Sequence, residues 1–312
     1  MKFLRYSLVL TIFVGLGLFN NNTFLFSNTA NSIETQSPQI ISQTISAPKL
    51  TVRPTISYPG DTVLVQASQP GMIEFNGTNY RLHPEKEGYI LFLPISIEQT
   101  PGEIDLFYHQ EQKQEPENSV FNPNTIKAKI EIKEKAFSTQ YLEVTSEQQE
   151  MYKNTEKINQ DRKKVEKALS NPIEEPYFSG KFVQPLEGRI STMYGYSRYI
   201  NGELDSRHLA IDIAAPEGTP ILAPNNGKVV LADYLYLSGN RVIIDHGSYL
   251  FSSFSHLIKL NVQTGDTVKK GDIIGWVGST GFSTGPHLHH AMYVHGFAVN
   301  PELFFGSDPF SW

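Results

Sequence analysis

The strongest constraint on the fold is a series of short runs of β-branched and aromatic residues. These runs are separated by turns rich in glycine and proline. In the first half of the chain the turns include Pro59-Gly60, Asn76-Gly77 and Pro101-Gly102. Many short strands at such spacing are typical of an antiparallel sandwich. The runs that form this pattern are residues 62–66, 88–92, 104–108 and 126–132. Residues 49–134 are therefore predicted to form an immunoglobulin-like β-sandwich.

The chain from Phe178 to Trp312 shows a similar pattern, with glycine and proline throughout and no helix of normal length. Residues 227–231, 240–244, 249–256 and 273–277 are predicted strands because β-branched and apolar residues dominate them. Both halves of the chain thus predict a mostly β protein.

A charged segment separates these two parts. Between residues 146 and 170 the composition changes to Glu, Gln, Lys and Arg. Ser146 with Gln149 fits a capping box, and Pro172 follows the end of the segment. A helix over about 146–170 is predicted within a connector spanning 135–177. Its charges are of mixed sign, which favours a solvated helix face over a membrane or partner surface.

The N-terminus has the pattern of an export signal. A short basic end, residues 1–5, precedes an apolar run over 6–19 that is too short to span a bilayer comfortably. Residues 1–30 are predicted to be a signal peptide, with an uncleaved membrane anchor as the alternative, and residues 31–48 a flexible spacer. We expect the chain to be exported to the periplasm or cell wall. If the N-terminal segment is an uncleaved anchor, the exported chain stays attached to the membrane.

Composition excludes several kinds of site and partner. The formal net charge of -6 provides no basic field for non-specific nucleic acid binding, so nucleic acid is not an expected partner. The chain has no cysteine, so it has neither disulfides nor a thiol for lipid attachment. Any metal site must use histidine and carboxylate ligands.

Histidines are concentrated in the second half, where seven of the nine lie between His208 and His295. In a strand, side chains two residues apart share a face, so His208 and Asp212 are predicted on one face across Ala210. The same rule places His287 and His289 on one face of a strand over residues 286–294. Catalytic zinc usually takes three N or O ligands and keeps one position for water. His208, Asp212 and His289 can fill that role, which leaves His287 and His256 nearby without metal duty.

Six motifs between about Phe182 and Phe305 resemble the M23 family of zinc endopeptidases, of the LytM or lysostaphin-like type. The resemblance implies an antiparallel β catalytic domain over residues 178–312, and the segment 265–275 shares its β architecture with the hairpins of lipoyl carrier domains. The preceding β domain and charged connector are also similar to one branch of the family. The matching residues are Gly195 after Met193-Tyr194, His208 to Asp212, Ala223-Pro224 with Gly227, Ile244 to Gly247, Phe254 to Leu257, and Thr284 to His289.

The resemblance implies that His208, Asp212 and His289 bind one Zn²⁺ per chain, and that His256 and His287 act on the water and the tetrahedral intermediate. A bound zinc ion lowers the pKa of water toward about 7 and polarises a carbonyl. A neutral imidazole can accept the remaining proton. Ala210 departs from the glycine usual in the family, and His290 replaces a usual aromatic residue on the strand face away from the ligands.

The implied activity is hydrolysis of peptide cross-links in bacterial peptidoglycan by a zinc-dependent endopeptidase that uses a metal-activated water. The alternative is a non-catalytic module of the same fold that binds cell wall or regulates an amidase. Such modules typically lack some ligands, whereas all are present here. A third possibility is an enzyme whose cleft the sandwich or helix covers. Cell-wall machinery proteins are possible partners beside the peptidoglycan substrate.

Other histidines and loops have simpler interpretations. His246 is interpreted as a turn histidine with local hydrogen bonds, and His83, His109 and His295 have no evident partner. The glycine-rich residues 278–285 lack the lysine and following helix of a phosphate-binding loop, so they are interpreted as a turn leading to His287.

Overall fold

The computed structural model describes residues 47–111 and 125–311. Residues 46–312 belong to one compact unit. The predicted signal segment, residues 1–30, and the predicted spacer up to residue 46 lie outside the described residues. Within the described part of the chain, no helix has both the length and the hydropathy needed to cross a membrane.

Two β-sheets form the N-terminal part. The first has the strand order β1-β3-β7-β6 and the second the order β2-β9-β8-β4-β5. Alternate residues of both sheets, among them Val63, Val65, Leu91, Leu93 and Leu106, fill a common apolar core. The immunoglobulin-like topology and the domain boundaries remain predictions. The strands are β1 Leu50–Arg53, β2 Ile56–Ser57, β3 Thr62–Ala67, β4 Gly71–Phe75, β5 Thr78–Arg81, β6 His83–Glu85, β7 Gly88–Pro94, β8 Gly102–Gln110 and β9 Thr125–Ile132.

The first sheet is buried on both faces. Leu64 in β3 and Ile90 and Phe92 in β7 point away from the sandwich core into a second apolar cluster. Phe182 and Met292 of the C-terminal part belong to the same cluster, so the sandwich and the C-terminal part share one apolar interface. Such burial on both sides explains why β3 and β7 are continuous apolar runs without alternation.

Two helices follow the sandwich where one helix was predicted. They are α1 (Ser146–Lys153) and α2 (Thr155–Leu169), which are separated by Asn154. The Asn154 side chain accepts a hydrogen bond from Lys157 N and caps α2. The predicted capping box is shifted by one residue, because Thr145 and Gln148 form it. No residue of either helix is buried, although the apolar edge of α2 packs beside Leu231 and Leu235.

The C-terminal part is built on one large sheet with the strand order β11-β14-β22-β18-β17-β16-β20, and β23 pairs with β22. A small sheet, β15-β21-β19, packs on it over an apolar core. Apart from two 3₁₀ turns, the described residues of this part contain no helix. The strands are β11 Arg189–Thr192, β14 Ile211–Ala214, β15 Pro220–Leu222, β16 Gly227–Leu235, β17 Gly239–Asp245, β18 Leu250–Leu257, β19 Lys259–Leu260, β20 Thr267–Val268, β21 Ile273–Trp276, β22 His287–Val294 and β23 Phe297–Val299.

The predicted connector contributes a strand to a third sheet in the C-terminal half. Strand β10 (Thr139–Leu142) pairs in parallel with β12 (Ser197–Ile200), and β12 pairs with β13 (Glu203–Arg207). The segment over 135–177 is therefore more than a link between two domains, since its first strand is part of the sheet structure that borders the site described below.

A histidine and tyrosine cluster lies where the sandwich meets the C-terminal part. The His295 ring stacks on Tyr249 with centroids 4.3 Å apart, and the His83 ring lies 4.7 Å from Tyr249. The Nε2 atoms of both histidines are buried without a hydrogen-bond partner. The His295 ring also packs edge-on against Tyr80 of the sandwich, with centroids 5.3 Å apart, so His83 and His295 each have a ring partner from the other part of the chain that the sequence did not reveal. His109 lies 3.2 Å from the Glu74 carboxylate.

Candidate metal centre

Two neighbouring strands of the large sheet position most of the candidate site. In the antiparallel register of β14 with β22, Asp212 lies opposite His289 and Ala214 lies opposite His287. Strand alternation therefore brings His287 and His289 to the same face, as the sequence predicted. His290 points to the other face, where it is fully buried and stacks on Phe254 and Phe305, so it is a packing residue and not a surface one.

His208 reaches the same place by a different route from the one predicted. The strand begins at Ile211, so His208 lies just before it instead of on its face. The backbone of His208 pairs with the preceding segment, since His208 N donates to Tyr196 O and Gly195 N donates to His208 O. The His208 Nδ1–H faces Met193 O at 3.3 Å, and this contact directs Nε2 toward Asp212.

His208, Asp212 and His289 bring three ligand atoms together. His208 Nε2 and His289 Nδ1 lie 3.1 and 2.9 Å from Asp212 Oδ1, and 3.1 Å from each other. Ligands of tetrahedral zinc at about 2.0–2.1 Å from the ion are separated by about 3.3 Å, so this triangle is close to the size that zinc requires. Among the described residues, these three form the only group of histidine and acidic side chains with ligand atoms so placed.

The electrostatics of the triangle keep its ligands in their metal-binding forms. Burial by itself raises the pKa of Asp212, but its close contacts with His208 and His289 outweigh it and hold this pKa well below its usual value. Burial lowers the pKa of His289 to about 4, despite its contact with Asp212. Asp212 is therefore ionised and His289 neutral at neutral pH, as metal ligation requires.

His256 faces the triangle from β18. A bulge in the pairing of β17 with β18 lies beside it, and its φ of 65° is in the left-handed region. His256 Nδ1–H donates to Thr280 O at 2.8 Å, so Nε2 carries the lone pair. Burial first, and then the neighbouring imidazoles of His289 and His287, lower the pKa of His256 to about 3. The imidazole of His256 is thus neutral.

His287 completes the group of histidines. Its Nδ1–H donates to Gly285 O at 2.8 Å, which leaves the lone pair on Nε2, 3.7 Å from Asp212 Oδ1. The rings of His256 and His287 lie 4.9 Å apart. The structure therefore brings all five predicted site residues together, with two lone-pair nitrogens beside the three ligand atoms.

An open cleft contains this site, and part of its wall was missed by sequence reasoning. Gln140 and Leu142 from β10 and Arg198 from β12 line it together with the loop over residues 282–286. Arg198 Nη2 lies 3.5 Å from Asp212 Oδ2, and Arg198 Nε donates to Gln140 Oε1 at 3.1 Å. No local motif marked these residues, because only the pairing of β10 with β12 brings them to the cleft.

Helix α1 supports the loop on one side of the cleft. Gln148 Nε2 donates to Ser283 O at 3.0 Å, and the rings of Tyr152 and Phe282 lie 4.9 Å apart. The helix contacts the outside of this loop, and among the described residues none of α1 or of the sandwich lines the cleft around the ligand triangle. The described contacts thus make α1 a support for the cleft wall.

His246 belongs to the scaffold of the large sheet. It is fully buried, and its ring contacts Asn226 O and Ser252 Oγ, each at 2.7 Å. These partners lie on neighbouring segments of the sheet, so the local hydrogen bonds predicted for a turn histidine were wrong. Burial lowers the pKa of His246 to about 4, and the residue lies outside the cleft lining.

Comparisons with known proteins agree with this geometry. Residues 206–301 match the model of peptidase family M23. Glycyl-glycine endopeptidase ALE-1 of Staphylococcus capitis is 40% identical over 109 residues, which are 34% of this chain and 30% of that protein. Peptidoglycan DD-endopeptidase ShyC of Vibrio cholerae is 38% identical over 116 residues, 36% of this chain and 27% of that protein. The chain thus spans less than a third of the length of these two curated relatives.

A solved structure extends the similarity of fold beyond this domain. The crystal structure of a Pseudomonas aeruginosa protein described as an M23 peptidase superposes with a TM-score of 0.60 and 24% identity. It covers 80% of this chain and 95% of that one. The mostly β architecture on both sides of the helices is therefore shared with a solved fold.

Proposed function

We propose that this chain is a zinc-dependent endopeptidase that hydrolyses peptide cross-links of bacterial peptidoglycan, because its residues 206–301 match the model of peptidase family M23. The observation that carries the proposal is the triangle of His208 Nε2, Asp212 Oδ1 and His289 Nδ1 beside the imidazole rings of His256 and His287. The two curated relatives are named for different bonds, glycyl-glycine and DD. The proposal therefore names the wall peptide as the substrate and does not specify which of its bonds is cut.

In this proposal, His208, Asp212 and His289 hold one zinc ion per chain. The donor set fits this ion, since two imidazoles and one carboxylate leave a fourth position open to the cleft. When bound, the ion polarises the scissile carbonyl and makes water a stronger acid. Met193 O fixes the His208 tautomer by accepting the Nδ1 proton, so that Nε2 stays available as a ligand.

His256 and His287 provide the proton transfers. The carbonyls of Thr280 and Gly285 hold the Nδ1 protons, so each Nε2 is the atom that can accept a proton from the attacking water. The protonated ring then donates this proton to the leaving amine. Because both rings are anchored by backbone carbonyls, the geometry is set before the substrate binds.

A combined assay of metal content and wall digestion tests the proposal. The purified protein should contain about one zinc per chain and release peptide fragments from purified peptidoglycan, which mass spectrometry identifies. Asp212→Ala should lose both metal and activity, whereas His256→Ala should keep the metal and lose activity by about 10²–10⁴-fold. His109→Ala, on the sandwich surface, is the matched histidine control. If the parent binds wall without releasing peptides, the non-catalytic alternative is correct.

The place of action is part of the proposal. The basic and apolar N-terminal segment supports export to the periplasm or wall, with membrane anchoring as the alternative. Fractionation of cells that express the full chain, with mass determination of its N-terminus, decides between a cleaved signal and an anchor.

A further inference from the structure

Arg198 places a fixed positive charge at the edge of the ligand triangle. Its guanidinium lies 3.5 Å from Asp212 Oδ2, the carboxylate oxygen that faces away from the triangle, and its side chain is 18% exposed. A charge-assisted hydrogen bond is normally about 2.7–2.9 Å long, so the contact with Asp212 is a loose ion pair. The guanidinium therefore lines the cleft without being fully engaged by this carboxylate.

The position of the guanidinium is fixed by the connector strand. Arg198 Nε donates to Gln140 Oε1, and Gln140 Nε2 donates to Thr192 Oγ1 at 2.8 Å. This chain of hydrogen bonds joins β10, β12 and β11 and holds the planar group at the cleft wall. A guanidinium has five N–H donors, and Gln140 and Asp212 engage two of them. A fixed planar donor suits the two oxygens of a carboxylate.

The charge of the cleft points in the same direction. Among the described residues that line it, Arg198 is the only cation and Asp212 is the only carboxylate. The proposed zinc ion carries two positive charges, so one carboxylate leaves the lining with a net positive charge. Ligation also draws the charge of Asp212 toward the metal and weakens its attraction for Arg198. The cleft should therefore attract an anionic group of the substrate.

We propose that Arg198 is a specificity-determining residue that selects peptides with a free carboxylate on the residue adjoining the scissile amide. Consecutive Cα atoms are about 3.8 Å apart. When the scissile carbonyl lies at the triangle, a carboxylate on the next residue of the peptide therefore reaches the Arg198 guanidinium beside Asp212. The inference rests on the proposed peptidase function and gives its substrate a chemical class, a wall peptide that is anionic next to the cleaved bond.

The test uses two peptides of wall composition that differ only in the residue after the scissile bond, which bears a free carboxylate in one and a carboxamide in the other. For the zinc-loaded parent, kcat/KM should favour the acid by about 10- to 100-fold, the range expected for a charge-assisted hydrogen bond. Arg198→Gln should bring the ratio to within about threefold of unity. Arg198→Lys, which keeps the charge without the planar fork, should give an intermediate ratio.

Binding provides a readout that does not depend on turnover. Calorimetric titration with the carboxylate-bearing cleavage product and with its amide should show the same preference in the parent and its loss in Arg198→Gln. Arg162→Gln, on the exposed surface of α2, removes the same charge from a residue that does not line the cleft and should leave the preference unchanged. Zinc content and unfolding temperature of each variant report whether the site and fold are intact.

Several outcomes would overturn the inference. The inference fails if the parent has the same kcat/KM for the acid and the amide peptide, or if Arg198→Gln keeps the preference for the acid. It also fails if the main defect of Arg198→Gln is loss of zinc, because Arg198 would then only support Asp212. A parent that cuts neither peptide contradicts the proposed peptidase function instead, and the calorimetric preference then still decides whether Arg198 recognises the carboxylate.

Discussion

At the residue scale, His256 shows that backbone conformation positions a site residue. Its φ of 65° is unusual for any residue other than glycine and lies beside a bulge that turns the side chain to the cleft. The hydrogen bonds from His256 N to Ser238 O and from His256 Nδ1 to Thr280 O hold this conformation. Surrounding structure thus maintains a conformation that histidine disfavours.

Replacing His256 with glycine or alanine separates this strain from the chemistry. Both variants should lose activity to a similar degree, because neither has an imidazole. His256→Gly should be more stable than His256→Ala by about 1 kcal/mol, since only glycine adopts a positive φ without steric cost. Urea unfolding of the two proteins in a chelator measures this difference. Equal stability would show that the conformation at this position carries no strain.

Single residues also show how far sequence reasoning reaches. Alternation along a strand correctly placed His287 and His289 on one face, because their spacing of two residues within β22 is a local property of the chain. The same rule was applied to His208, where the chain had not yet entered the strand. Arg198 and Gln140 were missed since their approach depends on a parallel pairing of distant segments, which no local pattern encodes.

At the scale of elements, two glycines hold the loop that anchors His256. Gly239 has a φ of 61°, and a methyl group on it would collide with the backbone of Thr280; a methyl on Gly281 would collide with the backbone of Leu237 and Gly239. The loop after β21 therefore packs directly on the turn before β17. Thr280 O, the acceptor for His256, lies at this contact.

Gly239→Ala should accordingly disturb the site without touching it. The added methyl displaces Thr280, so kcat should fall by at least about tenfold while zinc content is retained, because a shift of about 1 Å can cost 10²-fold. Stability should fall by about 1–3 kcal/mol from overpacking and the positive φ. Gly285→Ala is the stability control in the same loop, since its methyl would meet no atom within 4 Å. Unchanged kcat in Gly239→Ala would contradict this role of the loop.

The helices illustrate what composition does and does not decide. Charge content and the flanking proline correctly predicted helix over the connector, but Asn154 divides it because its side chain caps the second helix. Asparagine in a charged run gives no sign of whether it will end one helix and begin another. The contacts of α1 with Phe282 and Ser283 depend on tertiary packing and could not be derived from the segment itself.

At the scale of the whole molecule, the interface between the sandwich and the C-terminal part contains histidines that must stay uncharged. Burial, followed by the neighbouring His83, lowers the pKa of His295 to about 3, and burial also lowers the pKa of His83. The groups that face this pair are Tyr80, Arg81, Glu174 and Tyr249. Only Glu174 among them favours a charged His83, at 3.9 Å.

Stability should therefore fall on acidification. A histidine whose pKa is lowered in the folded protein stabilises it fully above the unfolded value of about 6.5, and this contribution is lost as pH falls toward the folded value. From pH 7.5 to pH 5.0, His295 should account for a loss of about 2 kcal/mol. Asparagine tolerates the φ of 50° at this position. Over the same pH range, the free energy of unfolding of His295→Asn should therefore fall by about 2 kcal/mol less than that of the parent.

Urea unfolding of the metal-free proteins at both pH values measures the difference. Asp245 acts in the opposite direction, because burial raises its pKa to about 6, so the comparison of variant with parent is the decisive quantity. An identical loss in parent and His295→Asn would contradict the assignment of the acid sensitivity to this interface.

The sequence also indicates part of this interface. The runs over 63–65 and 90–93 are apolar without alternation, which is the pattern of a strand covered on both sides. What covers the second side could not be predicted, because Leu64, Phe92 and Phe182 come from segments far apart in the chain.

The shared apolar cluster sets a rule for protein engineering. A shortened chain that begins near residue 178 would present Phe182, Leu250, Met292 and Phe304 to solvent, and such patches promote aggregation. Fusion proteins that borrow the C-terminal half should therefore carry the sandwich with it, or replace those four side chains with polar ones. The unit to transfer then includes residues far upstream of 206–301, the range that matches the family model.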